Sequence, residues 1–493
     1  MPFPLRQRGD ILIEQLKSEA VFSQFFELCA IGHGSFETEQ MGDYLENFAK
    51  THGLYVRRDD AGNVIIKKPA SEGYEDKASV ILQGHMDMVA VKTPDADNDP
   101  TKDGVIPCAD DRFIWAKETS LGADDGFAVA MMLTILASDT IRHPALTAVF
   151  TNNEEVGMLG AAALDVSDID GRSVINLDSG EEGLFCHSCA GGAIAECFLP
   201  AGTEAYQGCC FEVSIDGLTG GHSGTMIDKN RANAILLLGR YFFEMPDGLD
   251  ARVISASGGE KDNAIAVKAN AVFFTAAKDE DAVCAYTAKF AEIIAKEYEM
   301  SDPDAAVYIS RREETKGDAL TKESMIRFVR ALTHLPSGVI RRMPNDASMV
   351  ETSLNPGILT QSADGFTLTY CVRSALEAQK TYLLAKMDDL TRTLGGRMDV
   401  SGVYPAWEFQ KESPLREHME RVFWKCYGKG PKMCSVHAGL ECGFLSQKIR
   451  DFDCVSIGPD TYDIHTVNEK LGIASARRTF EYLVEVLATW GNS

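Results

Sequence analysis

Four short apolar runs constrain the fold of this 493-residue chain more than any other feature. They are residues 78–83 (ASVILQ), 145–150 (ALTAVF), 173–177 (SVINL) and 453–457 (DCVSI). Short runs that are apolar throughout are typical of strands buried on both faces, as in parallel sheets. Helical patterns lie between them, such as GADDGFAVAMMLTILAS from Gly122 and GMLGAAAL after Glu155 and Val156. This alternation predicts an α/β domain with a mostly parallel sheet and helices on both faces.

The middle of the chain, residues 191–395, has a different pattern. Strand-like runs such as CCFEVSID and FTLTYCV alternate with long helical patterns such as DAVCAYTAKFAEIIAKEY, which predicts an α+β domain. The run at 453–457 comes only after this segment. We therefore predict a first, discontinuous domain over 1–190 and 396–493, with residues 191–395 inserted into it. Two domains also suit the chain length, which exceeds what one hydrophobic core usually serves.

Charge and cysteine content restrict the partners and the compartment. The chain has 48 Lys+Arg against 73 Asp+Glu, a net charge of -25, and so acidic a surface repels nucleic acid and anionic membranes. We find no apolar run of membrane-spanning length and no signal-peptide pattern at the amino terminus. Thirteen cysteines, an odd number scattered through apolar segments, are typical of reduced thiols. We expect a cytoplasmic protein that binds neither nucleic acid nor membrane.

Histidines and carboxylates recur where the predicted strands end or a predicted helix begins. Open α/β sheets assemble their sites at such positions. Any single acidic residue there is more often a helix cap or turn residue, so the prediction depends on the whole set. The set consists of His85, Asp87, Asp124, Asp125, Glu154, Glu155, Asp178 and His465.

This mixture of side chains predicts a metal site. Imidazole together with carboxylates suits zinc or manganese better than magnesium. A pair of metals needs a shared carboxylate, and such a centre activates water at neutral pH while an unligated glutamate takes and returns the proton. The doublet Glu154-Glu155 can supply both a ligand and that base.

In this order, the motifs GHMDMV, SLGADDG, TNNEEVGMLGA, INLDSGEEG, GLTGGHSG, NAIA, CVRS and IHTVNE closely resemble those of the M20 metallopeptidases. HAGLECG, residues 437–443, is a mark of the aminoacyl-histidine (Xaa-His) dipeptidase branch, also called peptidase D or cytosolic nonspecific dipeptidase. The resemblance covers essentially the whole chain. It implies a homodimeric, metal-dependent dipeptidase that hydrolyses unblocked dipeptides of Xaa-His type, with β-alanyl-histidine as a further candidate substrate.

The resemblance also implies a centre of two Zn²⁺ per chain, which Mn²⁺ or Co²⁺ can replace. Asp124 would bridge the metals, His85 would bind one of them with Glu155 or Asp178, and His465 would complete the other. Asp87 would hold the ring of His85, and Glu154 would be the general base. In relatives the bridging aspartate is followed by a cis peptide, so the Asp124–Asp125 bond is expected to be cis.

The inserted domain corresponds in the resemblance to a lid that binds substrate. Its implied contacts are His222, Asn263 and Arg373, together with the backbone of Gly439 in HAGLECG. The planar, permanently charged fork of Arg373 suits a free carboxylate. Considered without the motifs, Arg373 is more simply interpreted as a residue that forms a surface salt bridge. His222 is then interpreted as a turn histidine beside glycines.

Other functions remain open at this stage. Within the fold, a tripeptidase, an N-acyl amino acid deacylase or a desuccinylase would use the same metal chemistry, although HAGLECG and the large lid argue against them. A non-catalytic peptide-binding relative would lack a ligand or the base, and the sequence has all of them. A redox protein built around the cysteines is the weakest alternative.

Overall fold

The computed structural model describes residues 12–344 and 346–491. These residues form two compact units. The first contains the chain up to Ser188, Phe409–Ser435 and the residues from Leu440 onward, and the second contains Cys189–Glu408 and Val436–Gly439. Each unit has its own core of buried apolar side chains.

The regular elements are numbered in chain order. The helices are α1 (Ala20–Cys29), α2 (Glu39–Thr51), α3 (Ala123–Ala137), α4 (Leu159–Ala163), α5 (Ala234–Phe243), α6 (Glu280–Glu297), α7 (Lys322–His334), α8 (Glu377–Thr393), α9 (Pro414–Tyr427), α10 (Cys442–Lys448) and α11 (Ile473–Ala488). The strands are β1 (Tyr55–Arg58), β2 (Val64–Lys68), β3 (Val80–His85), β4 (Pro107–Ala109), β5 (Phe113–Ala116), β6 (Leu146–Thr151), β7 (Ser173–Asn176), β8 (Leu184–Cys189), β9 (Gly191–Pro200), β10 (Thr203–Gln207), β11 (Cys209–Asp216), β12 (Gly221–His222), β13 (Arg252–Gly258), β14 (Ala264–Ile265), β15 (Ala269–Thr275), β16 (Ala306–Arg312), β17 (Lys316–Leu320), β18 (Gly338–Arg342), β19 (Val350–Ser362), β20 (Gly365–Ser374), β21 (Arg397–Tyr404), β22 (Lys432–Val436), β23 (Asp453–Ser456), β24 (Thr461–Tyr462) and β25 (Lys470–Gly472).

The first unit is built on an eight-stranded sheet of order β1-β2-β6-β3-β7-β23-β8-β22. Its four central strands, β6, β3, β7 and β23, are parallel, and they are the four apolar runs from which the fold was predicted. Every residue in them is buried, so both faces of the sheet are covered. On either side β1, β2 and β8 pair antiparallel. The mostly parallel α/β prediction therefore describes the centre of this sheet.

Helix α3 packs closely on β3 at the centre of the first unit. It is apolar on all sides and almost entirely buried, as expected for a helix inside a core. A Cβ on Gly84 would lie 2.4 Å from Asp125 Oδ2 and 3.1 Å from Ala128 Cβ. Glycine at position 84 therefore lets the first turn of α3 approach the end of the strand.

The second unit is an antiparallel α+β structure, as predicted. Its nine-stranded sheet has the order β16-β11-β15-β13-β19-β20-β9-β21, and β18 pairs with β19. Strand β21 pairs with β9 from Phe198↔Arg397 onward. Residues 396–408, which the sequence analysis assigned to the first domain, thus belong with the second, as do residues 436–439. Main-chain pairing, which composition does not reveal, accounts for the difference at β21.

Within residues 12–344 and 346–491, no helix is both long and apolar enough to span a membrane.

Candidate metal centre

The parallel strands of the first unit bring their carboxyl ends, with the residues that follow, to one edge of the sheet. His85 ends β3, while Asp178 comes shortly after β7. Glu154 and Glu155 follow β6, and Asp124 lies in the first turn of α3. His465 comes later, after the short strand β24, and has the left-handed backbone angle φ 63°.

Asp124 presents one carboxylate oxygen to each histidine. Its Oδ1 lies 3.2 Å from His85 Nε2, and its Oδ2 lies 3.4 Å from His465 Nε2. Asp178 Oδ1 is 4.0 Å from His85 Nε2, and Glu155 Oε2 is 2.9 Å from His465 Nε2. Two groups of potential ligands therefore share Asp124. The peptide bond between Asp124 and Asp125 is cis, as predicted.

The two histidines and the carboxylates around them shift one another's pKa values. Hydrogen bonds with Asp124 and Glu155 raise the pKa of His465 to about 10. Burial alone would lower the pKa of His85, but the carboxylates of Asp124, Asp87 and Asp178 outweigh it and raise the pKa well above its usual value. Burial alone would raise the pKa of Asp124, but the hydrogen bonds to His465 and His85 lower it. The histidines on both sides of Asp124 therefore favour its charged form.

Glu154 and Asp178 hold their protons more tightly than ordinary carboxyl groups. Burial raises the pKa of Asp178 well above its usual range, with the neighbouring charges of Asp124 and Asp125 adding to the effect. Burial also raises the pKa of Glu154 to about 8, assisted by repulsion from Glu441 and Glu155. Glu154 therefore exchanges a proton near neutral pH, which suits a general acid or base.

Asp87 lies beside the ring of His85, the residue that the resemblance gives it to hold. Its Oδ1 is 3.6 Å from His85 Nδ1, an ion-pair distance longer than a hydrogen bond. Its main-chain oxygen lies 2.9 Å from the same ring nitrogen. The carboxylate accepts the backbone N–H groups of Glu154 at 2.9 Å and Glu155 at 3.3 Å, and the hydroxyl of Ser35 at 2.8 Å. Asp87 thus orients the Glu154-Glu155 doublet as well as His85.

The geometry and chemistry of this cluster fit a pair of divalent ions. In tetrahedral zinc sites with bonds of about 2.0 Å, ligand atoms lie about 3.3 Å apart. The contacts of Asp124 with the two histidines, 3.2 and 3.4 Å, match this spacing. Glu155 Oε1 is buried without a hydrogen-bond partner among the described residues, which leaves it free to bind a cation. These residues can hold a metal, with Asp124 common to both groups.

Glu469, the last residue of the IHTVNE motif, has a structural role that the motif did not predict. Its carboxylate accepts backbone N–H groups at the start of α3, from Leu121 at 2.8 Å, Gly122 at 3.0 Å and Ala123 at 2.8 Å. A carboxylate at this end of a helix satisfies free N–H donors and complements the helix dipole. Glu469 therefore fixes the turn that carries Asp124.

The predicted substrate residues lie in the second unit, where His222 and Arg373 are neighbours. His222 Nδ1 accepts backbone N–H groups from Gly224 at 3.2 Å and Thr225 at 3.1 Å. A neutral ring that accepts at Nδ1 carries its proton on Nε2. This Nε2 lies 3.4 Å from Arg373 Nη2, so two donors are directed at the same region. Adjacent donors of this kind suit an anionic ligand.

The other two predicted substrate residues are nearby in this unit. The main-chain oxygen of Asn263 accepts the N–H of Ser223, beside His222. Gly439 comes two residues after His437, a buried histidine that the sequence analysis did not select although it begins HAGLECG. Tyr404 was also missed, and its hydroxyl accepts from Arg373 Nη1 at 2.6 Å.

Known proteins share both the sequence and the fold. The chain is 34% identical over 482 residues to the cytosol non-specific dipeptidase of Escherichia coli, covering 96% of this chain and 98% of that protein. The crystal structure of aminoacylhistidine dipeptidase from Vibrio alginolyticus matches with a TM-score of 0.90 and 31% identity, over 97% of this chain and 98% of that one. A Staphylococcus aureus tripeptidase shares the fold at 16% identity, with a TM-score of 0.56 over 96% of this chain and 99% of that one.

The sequence also matches a whole protein family. Residues 81–489, which include every residue of the candidate metal centre, match the profile of peptidase family M20/M25/M40. The chain belongs to peptidase family M20/M25/M40.

Proposed function

We propose that this chain is a metal-dependent dipeptidase that hydrolyses unblocked dipeptides at a centre of two divalent ions, zinc in the first instance. One observation carries the proposal: the two oxygens of Asp124 face two separate sets of ligands, His85 with Asp178, and His465 with Glu155. A carboxylate shared in this way is what a pair of metals requires. The relatives named as dipeptidases support the reaction class.

The ions would supply Lewis-acid chemistry, polarising the scissile carbonyl and making a water molecule more acidic. Within this proposal Glu154 takes the proton of the attacking water and returns it to the leaving amine. Asp87 holds the backbone of Glu154, so the base keeps its position. Positive charge beside a carboxyl group lowers its pKa, so bound cations would lower the pKa of Glu154 from about 8.

We propose that residues of the second unit recognise the length of the substrate. A dipeptidase has to recognise the free carboxylate of its substrate, and the paired donors of His222 and Arg373 suit that group. We further propose that Asn263 and the backbone of Gly439 contribute to substrate binding, as the family motifs indicate. The same recognition favours free dipeptides over longer peptides and over substrates without a terminal carboxylate.

We also propose a cellular compartment and an oligomeric state for this chain. The relative from Escherichia coli is named as a cytosol enzyme, and we propose the cytoplasm for this chain. We propose a homodimer, which light scattering of the purified protein tests directly.

The function is tested with a substrate panel on protein reconstituted with zinc. The panel contains unblocked dipeptides including Xaa-His and β-alanyl-histidine, matching tripeptides, and N-acyl amino acids. We expect kcat/KM for the best free dipeptide to exceed that for its tripeptide counterpart by at least about tenfold. A tripeptide cleaved at its first peptide bond places the carboxylate one residue further from the scissile bond, and an unpaired buried donor set costs more than about 1.4 kcal/mol.

Two outcomes would contradict the proposal. Faster turnover of N-acyl amino acids would make the chain a deacylase of the same family. Tight dipeptide binding without turnover by the zinc-loaded protein would make it a peptide-binding relative.

A further inference from the structure

His437 is a buried histidine of the second unit for which the mechanism above has no use. Its side chain is 8% exposed, and its Nε2 lies 2.7 Å from the hydroxyl of Ser353 on β19. Its Nδ1 is buried and has no hydrogen-bond partner among the described residues. Buried polar atoms nearly always have a hydrogen-bond partner. A buried ring nitrogen without one therefore indicates a ligand that supplies the missing hydrogen bond.

The surroundings of His437 keep the ring neutral. Burial lowers the pKa of His437 to about 3, and the positive charge of Arg373 adds to this effect. A neutral imidazole has one N–H and one acceptor nitrogen. The hydroxyl of Ser353 can donate to Nε2, which leaves the proton on Nδ1 as a free donor.

Two further features suggest that the Nδ1–H of His437 lies where an anion can bind. Arg373 Nε is also buried without a hydrogen-bond partner in the part of the chain that the structure describes. Gly224 keeps the space between these groups open. A Cβ at that position would lie 3.0 Å from Arg373 Nε, 3.0 Å from His222 Cε1 and 2.3 Å from the main-chain oxygen of His437.

We propose that His437 is a specificity-determining residue whose Nδ1–H donates a hydrogen bond to the terminal carboxylate of the substrate, next to Arg373. Within this proposal Ser353 is a positioning residue, because a hydroxyl that donates to Nε2 leaves the ring proton on Nδ1. The inference rests on the proposed dipeptidase function. The proposed hydrogen bond would make the enzyme select free dipeptides over dipeptide amides. A terminal carboxylate accepts from both His437 and Arg373, whereas a terminal amide presents N–H groups of its own to these donors.

Two substitutions of His437 separate the ring nitrogens. The amide nitrogen of asparagine falls close to the place of Nδ1, whereas that of glutamine falls close to Nε2, so His437→Asn keeps the proposed donor and His437→Gln loses it. We expect His437→Gln to raise KM for a free dipeptide by about 10- to 100-fold, as for loss of a hydrogen bond to a charged group, with a much smaller change in kcat. KM for the matching dipeptide amide should hardly change, and His437→Asn should retain most of the wild-type KM.

Ser353→Ala provides an independent variant, because it keeps the imidazole and removes only the hydroxyl proposed to donate to Nε2. We expect it to raise KM for the free dipeptide by a few-fold, again without affecting the amide. All variants are measured as zinc-loaded protein, with their thermal midpoints recorded. If His437→Gln does not fold, the free-dipeptide to amide comparison on Ser353→Ala decides the question.

Equal KM increases on the free dipeptide and its amide would overturn the proposal, and so would an asparagine variant as impaired as the glutamine variant. Either result would mean that His437 only supports the fold. If the zinc-loaded wild type cleaves no dipeptide, the proposed function fails separately. Calorimetric binding of the free dipeptide and its amide to the same variants then tests His437 by the same criteria.

Discussion

At the scale of single residues, Glu154 and Glu155 are neighbours in sequence with different surroundings. Glu155 Oε2 contacts His465 Nε2 at 2.9 Å, whereas burial raises the pKa of Glu154 to about 8. These surroundings suit the two proposed roles, Glu155 as a metal ligand and Glu154 as the base. Sequence motifs identify both residues, but the choice between Glu155 and Asp178 as the partner of His85 depends on distances that only the folded chain provides.

Replacing Glu154 separates catalysis from metal binding. Glu154→Gln keeps the shape of the side chain but cannot accept a proton, so kcat should fall by about 10²- to 10⁴-fold while the metal content stays unchanged. Glu155→Gln is the matched control and should lose metal, because it removes a charged ligand. Activity near the wild-type level in Glu154→Gln would exclude this residue as the base.

Glu441 gives a prediction about pH. It is fully buried, and its Oε2 accepts from Gln83 Nε2 at 2.6 Å and Thr151 Oγ1 at 2.5 Å. Burial raises the pKa of Glu441 from 4.5 to about 7. A raised pKa favours the folded state at low pH, so this contribution is complete below pH 4.5 and is lost as the pH rises through 7.

Glu441→Gln removes the titration without changing the shape of the side chain. Relative to the wild type, the free energy of unfolding of this variant should increase by about 3 kcal/mol between pH 4.5 and pH 8. Urea unfolding of both metal-free proteins at several pH values measures this difference. A difference that stays constant with pH would show that Glu441 does not titrate in this range.

At the scale of elements, the start of α3 depends on a side chain far away in sequence. Glu469 accepts the N–H groups of Leu121, Gly122 and Ala123, and it is 2% exposed. Helix pattern and the Asp-Asp doublet predict where α3 begins, but they contain no information about this cap. The carboxylate comes from a loop that follows β24, and only the folded first unit shows the contact.

Glu469→Ala should therefore destabilise the first unit. Loss of a charged acceptor for several buried N–H groups should lower the free energy of unfolding by about 2–4 kcal/mol. Metal-free protein is used in the denaturant titration, so that metal loss does not contribute. Glu469→Gln, which keeps one acceptor oxygen, should lie between the wild type and the alanine variant, and equal stability of all three would refute the capping role.

Strands differ in how far the sequence predicts them. The four apolar runs became β6, β3, β7 and β23 because strands buried on both faces need apolar side chains throughout. Strand β21 was not predicted, since six of its eight residues are exposed and it contains none of the buried apolar runs that mark the other strands. Its pairing with β9 decides its structure, and pairing partners cannot be identified from local pattern.

At the scale of the whole molecule, the first unit is discontinuous in sequence. The candidate ligands extend from His85 to His465, and the chain enters the second unit between them. The metal centre therefore forms only when the returning part of the chain, from Phe409 onward, has joined the first unit. Motif order predicts this arrangement broadly, but the second crossing at residues 436–439 follows from packing alone.

Metal binding should stabilise the folded chain as a whole. The ligands converge only in the native state, so bound ions add to stability by mass action, by about 2.7 kcal/mol at a concentration 100 times the Kd. Removing metal with a chelator should lower the thermal midpoint by several degrees, and added zinc should restore it. Asp124→Ala should respond much less to either treatment, since it lacks the shared ligand, and an unchanged midpoint in the chelated wild type would contradict a native metal site.

The most direct test of a two-metal peptidase is a zinc titration of the chelator-treated protein. The rate of hydrolysis of a free dipeptide is measured at each zinc concentration. Because Asp124 belongs to both groups of ligands, we predict that the rate is negligible without zinc and reaches its plateau at two equivalents per chain. A full rate in the continued presence of chelator, or no rate at any zinc concentration, would contradict the proposed function. A plateau at one equivalent would contradict the shared role of Asp124.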